Sequence, residues 1–238
     1  MKTPYGLSAD CSSCHLRPAA FFCALSLESV KDLDQIRHPA VFPAEAAIFV
    51  EGQAARGVFL LCHGQVKLSI TSREGRTLIL RIAKPGEVLG LHAVVTGKPY
   101  TVAAETMQAS KLAFVHAQDF LSFLKAHGDA CLQAAQHISR ECQDAYNVVR
   151  SIGLSRSVHA RVAKFLLESV MNRTATNGEE RSPLGLTHED IAQLTGTTRE
   201  TVTRILSEFK RKNIVELKGS NLTIHNKAVL ERLATADA

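Results

Sequence analysis

No apolar run in this chain approaches the roughly 20 residues that a membrane-spanning helix needs. Its first residues, MKTPYGLSADCSSC, also lack the apolar core of a secretory signal. These absences predict a cytoplasmic protein with mostly reduced thiols and no membrane partner. Enzyme signatures are missing too: there is no Gly-rich phosphate loop, no nucleophile elbow and no H-E-x-x-H. A cupin-like metalloenzyme is the main enzymatic alternative, and it needs clustered histidines with a carboxylate on neighbouring strands. His63, His92 and His116 are scattered, with no H-x-H. The expectation is a non-enzyme. Charge of one sign is scarce as well: the net charge of +5 over 238 residues permits a polyanionic partner without requiring one.

What is present suffices for a packed core, since 45% of the residues are apolar. The length suits one large domain or two modest ones. Ser26 can cap a helix with Glu28 in its first turn and Leu27, Val30, Leu33 and Ile36 along one face; Pro39 and Pro43 then stop helix formation. From about Val41 to Val115, short apolar runs such as VFLL, VKLSI and KLAFV alternate with glycine-marked turns, the pattern of a β sandwich or barrel. Arg73-Glu74-Gly75-Arg76 reads as a hairpin tip. A long helix follows from roughly Ala130 to Ile152. Along it Cys131, Ala135, Ile138, Cys142, Ala145, Val149 and Ile152 are spaced 4, 3, 4, 3, 4, 3, the seam of a two-stranded coiled coil. The spacing predicts a homodimer across Ala135, Ile138, Cys142, Ala145, Val149 and Ile152; the alternative is a stripe that packs on its own β domain. Gly153 is expected to end that helix, and another to run from Val158 to Met171, followed by the polar loop NRTATNGEERSPLG.

The stretch LTHEDIAQLTGTTRETVTRILSEFKRKNIVELKGSNLTI carries the most information. Thr187 can cap a short helix whose first turn holds Glu189 and Asp190, with Ile191, Ala192 and Leu194 on its apolar side. Gly196 permits a tight turn. Thr197 and Glu200 are placed as a capping box for a second helix. Val202, Ile205, Leu206 and Phe209 face inward on it, leaving Thr198, Arg199, Glu200, Thr203 and Arg204 for the opposite face. That is a helix-turn-helix. Arginine can donate two hydrogen bonds to guanine, and glutamate can accept from cytosine. Lys210, Arg211 and Lys212 follow at positions suited to phosphates, and NIVELKGSNLTI reads as a two-stranded wing with its tip near Gly219-Ser220.

At the other end, CSSCHLRPAAFFC places Cys11, Cys14 and Cys23 ahead of the first helix. Those thiols suit several chemistries. C-x-x-C-H is a haem-attachment pattern, but attachment is made outside the cytoplasmic membrane. Zinc would need a fourth ligand, and adjacent Cys14-His15 grip one ion poorly. Cys11 and Cys14 form a C-x-x-C redox pair. Cysteines can also hold an iron–sulfur cluster. Phe21, Phe22 and Leu25 could dock such an arm.

TTRETVTRIL, GVFLLCHGQVKLSI and PGEVLGL, in that architectural context, resemble the Crp/Fnr family of bacterial transcription regulators over nearly the whole chain. The resemblance implies an α+β chain: a cysteine-bearing arm (1–25), a cyclic-nucleotide-binding-like β-roll (26–127), a dimerisation helix (128–153) and a winged helix-turn-helix (154–238). It implies a homodimer on double-stranded, two-fold-symmetric DNA, with Arg199, Glu200 and Arg204 at the base-reading positions, a half-site resembling TGTGA, and RNA polymerase as a protein partner. It also implies a sensor. In the nucleotide-binding branch a Glu and an Arg-Ser pair hold the ligand; here Leu91 and Tyr100-Thr101 stand in their places, which argues against a cyclic nucleotide. The oxygen-sensing branch carries N-terminal cysteines that hold a [4Fe-4S] cluster, and Cys11, Cys14 and Cys23 resemble them, with a wider gap before the third. Leu112 occupies that branch's fourth ligand position. Cys62 is the best substitute; Cys131, His15 and Asp10 are others. A zinc, thiol-redox or small-molecule sensor is the alternative.

Overall fold

The structure is a computed structural model that describes residues 24–154, 157–171, 181–183, 185–218 and 221–235. Two compact units form. One holds the described residues to Ser72 together with Leu80–Asp144; the other holds Arg73–Ile79 together with the described residues from Ala145 onward.

The first unit opens with α1 (Leu27–Ile36), capped by the Ser26 side chain, which accepts from the Ser29 amide. Val30 and Leu33 are buried as expected, but Leu27 is 61% exposed. Leu25, just outside the cap, takes the core place instead and shares a cluster with Val30. This is a hydrophobic staple, which sets the angle at which the chain enters the helix. β1 (Arg37–Phe42) follows at once, earlier than the expected Val41. Pro39 accounts for this, because the residue before a proline is driven into extended conformation. β1 lies at a sheet edge, where a missing N–H is tolerated.

The roll continues through β2 (Ala47–Phe49), β3 (Gly57–His63), β4 (Val66–Thr71), β5 (Thr77–Ala83), β6 (Val88–Leu89), α2 (Leu91–Thr96), β7 (Ala103–Thr106) and β8 (Ser110–His116). Its strands form two sheets, ordered β1-β8-β3-β6 and β2-β7-β4-β5. The expected hairpin tip is present, with Gly75 at φ +80°. Both faces of β3 and β8 are covered, which explains their nearly continuous apolar text. In their antiparallel register Leu60 opposes Ala113 and Leu61 opposes Leu112. The first pair packs with α1 and the helices after the roll; the second faces the interior beside Phe49, Leu68 and Tyr100.

Two helices follow, α3 (Ala117–Ala126) and α4 (Gly128–Leu154). The sequence reading missed α3, whose Phe120, Phe123 and Leu124 make one short buried stripe. α4 is the expected long helix, but Gly153 does not end it; glycine costs a helix interior only about 1 kcal/mol. Its buried residues are Ala130, Ala134 and His137. They form a stripe one residue, hence roughly 100°, away from Cys131, Ala135 and Ile138. Among the seam positions Cys131, Cys142 and Val149 are exposed, as are Ala135 and Ala145, while Ile138 and Ile152 are half-buried.

A polar cluster holds α4 to the roll. The Arg81 guanidinium on β5 pairs with Glu87 and, at 2.7 Å, with Glu141 on α4. His137 Nε2 lies 3.5 Å from the same Glu141 carboxylate. Burial pushes the Glu141 carboxyl up, but His137 and Arg81 outweigh it and hold the group below its ordinary 4.5.

The second unit contains α5 (Val158–Met171), β9 (Arg181–Pro183), α6 (His188–Thr195), α7 (Arg199–Arg211), β10 (Val215–Lys218), β11 (Asn221–Ile224) and α8 (Lys227–Thr235). The strands form one sheet ordered β10-β11-β9. Val162, Leu166, Ile191, Val202, Ile205, Phe209, Leu222 and Leu230 make its core.

Replacing Arg81 by Met leaves two partly buried carboxylates without their counter-charge. The expected loss is roughly 3 kcal/mol in urea unfolding at pH 7. Because Glu141 titrates below its ordinary value when folded, its contribution is full above pH 4.5 and vanishes as pH falls through the depressed value. The difference between wild type and Arg81→Met therefore narrows as pH is lowered to about 3.

Candidate nucleic-acid interface

α6 and α7 are built from local signals. Thr187 accepts from the Asp190 amide at 3.1 Å while the Asp190 carboxylate accepts the Thr187 amide at 2.8 Å, a complete capping box. Gly196 ends α6 at φ +61°, the left-handed region glycine tolerates. A Cβ there would stand 3.2 Å from Ile152 Cδ1, so the turn is also tight. The cap of α7 differs from expectation by one residue: Thr198, not Thr197, accepts from the Thr201 amide. The Thr197 amide instead bonds back to the Ala192 carbonyl and closes the end of α6. Glu200 thus has no capping-box role and is available on the surface. Its exposed carboxyl sits below the ordinary range because its own amide and the Thr198 hydroxyl donate to it.

The apolar face of α7 is buried as expected at Val202, Ile205, Leu206 and Phe209. On its other face Arg199, Glu200, Thr203 and Arg204 line one open depression of about 370 Å³ together with Ser207, which the sequence reading missed. Two further residues went unnoticed. His188 Nδ1 lies 2.9 Å from Thr203 Oγ1. The single Thr203 hydroxyl proton goes to the Arg199 carbonyl at 2.9 Å, which leaves the imidazole as donor. Arg161 on α5 donates to the Thr195 carbonyl at 2.8 Å and supports the turn between the helices. Neither role is legible in sequence, because both join elements that meet only after folding.

The basic residues after the reading face are exposed. Lys212 pairs with Glu208 at 2.7 Å and Lys210 with Glu216 at 3.7 Å. Exposed pairs contribute about 0–1 kcal/mol, so a phosphate can displace them. β10 and β11 pair in register as the expected wing. Its tip, Gly219-Ser220, lies outside the described residues.

Of the sensor residues, Cys11, Cys14 and Cys23, with Phe21 and Phe22, lie outside the described residues. Cys62 is half-buried on β3; its thiol donates to the Leu60 carbonyl at 3.6 Å and packs against the cluster that buries Leu25. Among the described residues no group of three or more His, Cys, Asp or Glu is placed to hold a metal ion. At the nucleotide positions, Leu91 is fully buried. Tyr100 stacks on Phe49 at 4.0 Å between ring centroids and donates to the Gly57 carbonyl at 2.6 Å. An apolar wall and a committed phenol thus replace the charged groups that a cyclic phosphate requires.

Comparison with known proteins bears on both units. Residues 39–127 match the cyclic nucleotide-binding domain and residues 160–233 the Crp-like helix-turn-helix domain. The CRP-like cAMP-activated global transcriptional regulator of Mycobacterium tuberculosis is 26% identical over 92% of this chain and 98% of its own length. The nitrogen fixation regulation protein FixK of Azorhizobium caulinodans is 28% identical over 96% and 86%. The crystallised FixK2 of Bradyrhizobium japonicum shares the fold, with a TM-score of 0.73, 24% identity, and coverage of 85% of this chain and all of that one. No described helix is long and apolar enough to cross a membrane.

Replacing Glu200 by Ala should relax selectivity at one base pair and cost about 1–3 kcal/mol on the preferred sequence. Replacing Arg211 by Ala should weaken all sequences alike and lower the salt dependence by about one counterion. Competition titrations against single-base variants at several salt concentrations separate the two.

Proposed function

The chain belongs to the Crp/Fnr family of DNA-binding transcription regulators, and from that premise we propose a homodimer that reads a TGTGA-like half-site and senses through an iron–sulfur cluster on its N-terminal cysteines. The DNA-binding part rests on one observation, the shared depression lined by Arg199, Glu200, Thr203 and Arg204. Thr198 caps this helix end, and Lys210, Arg211 and Lys212 supply phosphate contacts. RNA polymerase is the protein partner that such a regulator engages at a promoter.

Dimerisation is supported by the division of labour on α4. Its buried stripe serves its own roll, while Ala135, Cys142, Ala145 and Val149 stand exposed with Ile138 and Ile152 half-covered. A second copy covers that stripe in a parallel pair.

The sensor reading rests on chemistry and reach. Cys11, Cys14 and Cys23 offer thiolates, the donors such clusters take. Leu25, two positions after Cys23 in the sequence, is buried in the cluster against which Cys62 packs. Cys62 can therefore serve as the fourth ligand by exchanging its bond to the Leu60 carbonyl for a metal. A bound cluster would supply iron–thiolate bonds that oxygen or nitric oxide can break. Their gain or loss would bias the α4 seam between monomer and dimer. A complete switch requires about 5.5 kcal/mol of differential binding, within what several metal–thiolate bonds provide. Cyclic nucleotide is disfavoured by Leu91 and Tyr100.

Anaerobic purification should yield about four iron and four acid-labile sulfide per chain, lost in the Cys11→Ser, Cys14→Ser and Cys23→Ser variants. Zinc, or iron without sulfide, would overturn the cluster. Selection from random DNA should return inverted repeats with a TGA core. Val149→Glu should leave monomers in sedimentation and abolish high-affinity binding.

A further inference from the structure

The outward face of α7 carries two rows of side chains. Arg199, Thr203 and Ser207 follow one another at intervals of four, and Glu200 and Arg204 stand in the row beside them. All five are exposed and line the same depression of about 370 Å³. Arginine and glutamate bring hydrogen-bonding groups to it. The two hydroxyls are spent on the helix itself. Thr203 Oγ1 donates to the Arg199 carbonyl at 2.9 Å, and Ser207 Oγ donates to the Thr203 carbonyl at 2.8 Å. A hydroxyl has one proton, so neither retains a donor for a base.

Thr203 is tied a second time. His188, the first residue of α6, donates from Nδ1 to the same oxygen at 2.9 Å and takes one of its lone pairs. The oxygen is thus held from both helices of the helix-turn-helix. Threonine is branched at Cβ, so fixing its oxygen also fixes its methyl. We infer that Thr203 reads DNA with that γ-methyl group, and that the group it reads is the C5-methyl of a thymine in the major groove. Thymine is the one base of unmodified DNA that presents a methyl there. A threonine hydroxyl turned to the groove serves several bases, because it can donate to N7, O6 or O4 and accept from an amino group. A methyl gains only from another apolar group and leaves a facing polar edge without a partner, so it selects. Arg199, Glu200 and Arg204 then supply the polar half of the recognition and Thr203 the apolar half. This inference deepens the DNA-binding proposal and rests on it, but it needs neither the cluster nor the α4 seam.

The test measures operator affinity of the full chain on duplexes in which each thymine of the selected half-site is replaced in turn by deoxyuridine, a change that removes only the methyl. In wild type, one position is expected to lose about fourfold for each methyl removed. Thr203→Ser keeps the hydroxyl without the methyl and should bind thymine and uracil alike at that position. Thr203→Val keeps a γ-methyl in a side chain of the same shape and should preserve the wild-type ratio. Wild type that prefers its operator yet binds thymine and uracil alike at every position overturns the methyl contact and leaves base reading standing. A ratio that survives in Thr203→Ser assigns the methyl to another residue and also overturns it. So does a ratio lost in Thr203→Val and kept in Thr203→Ser, which would make the hydroxyl the reader. Wild type with no preference among sequences means that base reading itself has failed, and the inference falls with it.

Discussion

One helix has to satisfy two surfaces. α4 spends the stripe of Ala130, Ala134 and His137 on its own roll and keeps a second stripe, about 100° around the cylinder, uncovered. The small side chains of Ala130 and Ala134 in the first stripe let the helix approach the sheet closely. The Arg81 guanidinium, gripped by Glu87 and Glu141, then fixes it there. A buried ion pair contributes little net stability when complete and costs a great deal when broken, so its effect here is on position more than on stability. Rotation of α4 would break the Arg81 contact and turn the second stripe toward the roll.

The reading end follows a different logic. α6 and α7 are short, and their stability comes from end effects: a full capping box at Thr187, a left-handed glycine at 196, a cap at Thr198 and buried Val202, Ile205 and Phe209. Because the apolar face is completely used, the polar face of α7 is left to polar contacts: Thr203 with His188, Glu208 with His159 and Lys212, and Lys210 with Glu216. Arg199, Glu200, Thr203 and Arg204 are thus exposed on a helix that is rigidly held from behind.

The roll matches the cyclic nucleotide-binding domain over residues 39–127, with Leu91 and Tyr100 at two of the positions expected to meet the ligand. Leu91 and Tyr100 are not vacant substitutions. Leu91 is core, and Tyr100 stacks on Phe49 and is bonded to Gly57, so both side chains help hold the roll together. Burial pushes the Tyr100 hydroxyl up despite its bond to that carbonyl, which keeps it a neutral donor.

Periodicity and caps are local properties, and they were readable in the residues: the 3.5 repeat of α4, the Thr187 and Ser26 caps, the Gly75 hairpin tip, the inward face of α7 and the exposed face opposite it. Errors arose where two local signals compete. Thr197 and Thr198 can both cap, and the Ala192 carbonyl decides between them by taking the Thr197 amide. Leu27 and Leu25 can both reach the core, and the staple chooses Leu25. Gly153 can end a helix or be tolerated in one. What no inspection of the letters could supply is the company kept by residues far apart in the chain. Asp129 meets Ser26 and Ser29 across 103 and 100 positions, Arg81 meets Glu141 across 60, and Arg161 meets Thr195 across 34. Such pairs carry no spacing signature, because polar partners are selected by the folded backbone's geometry, whereas helix caps and apolar stripes are selected by the backbone's own repeat.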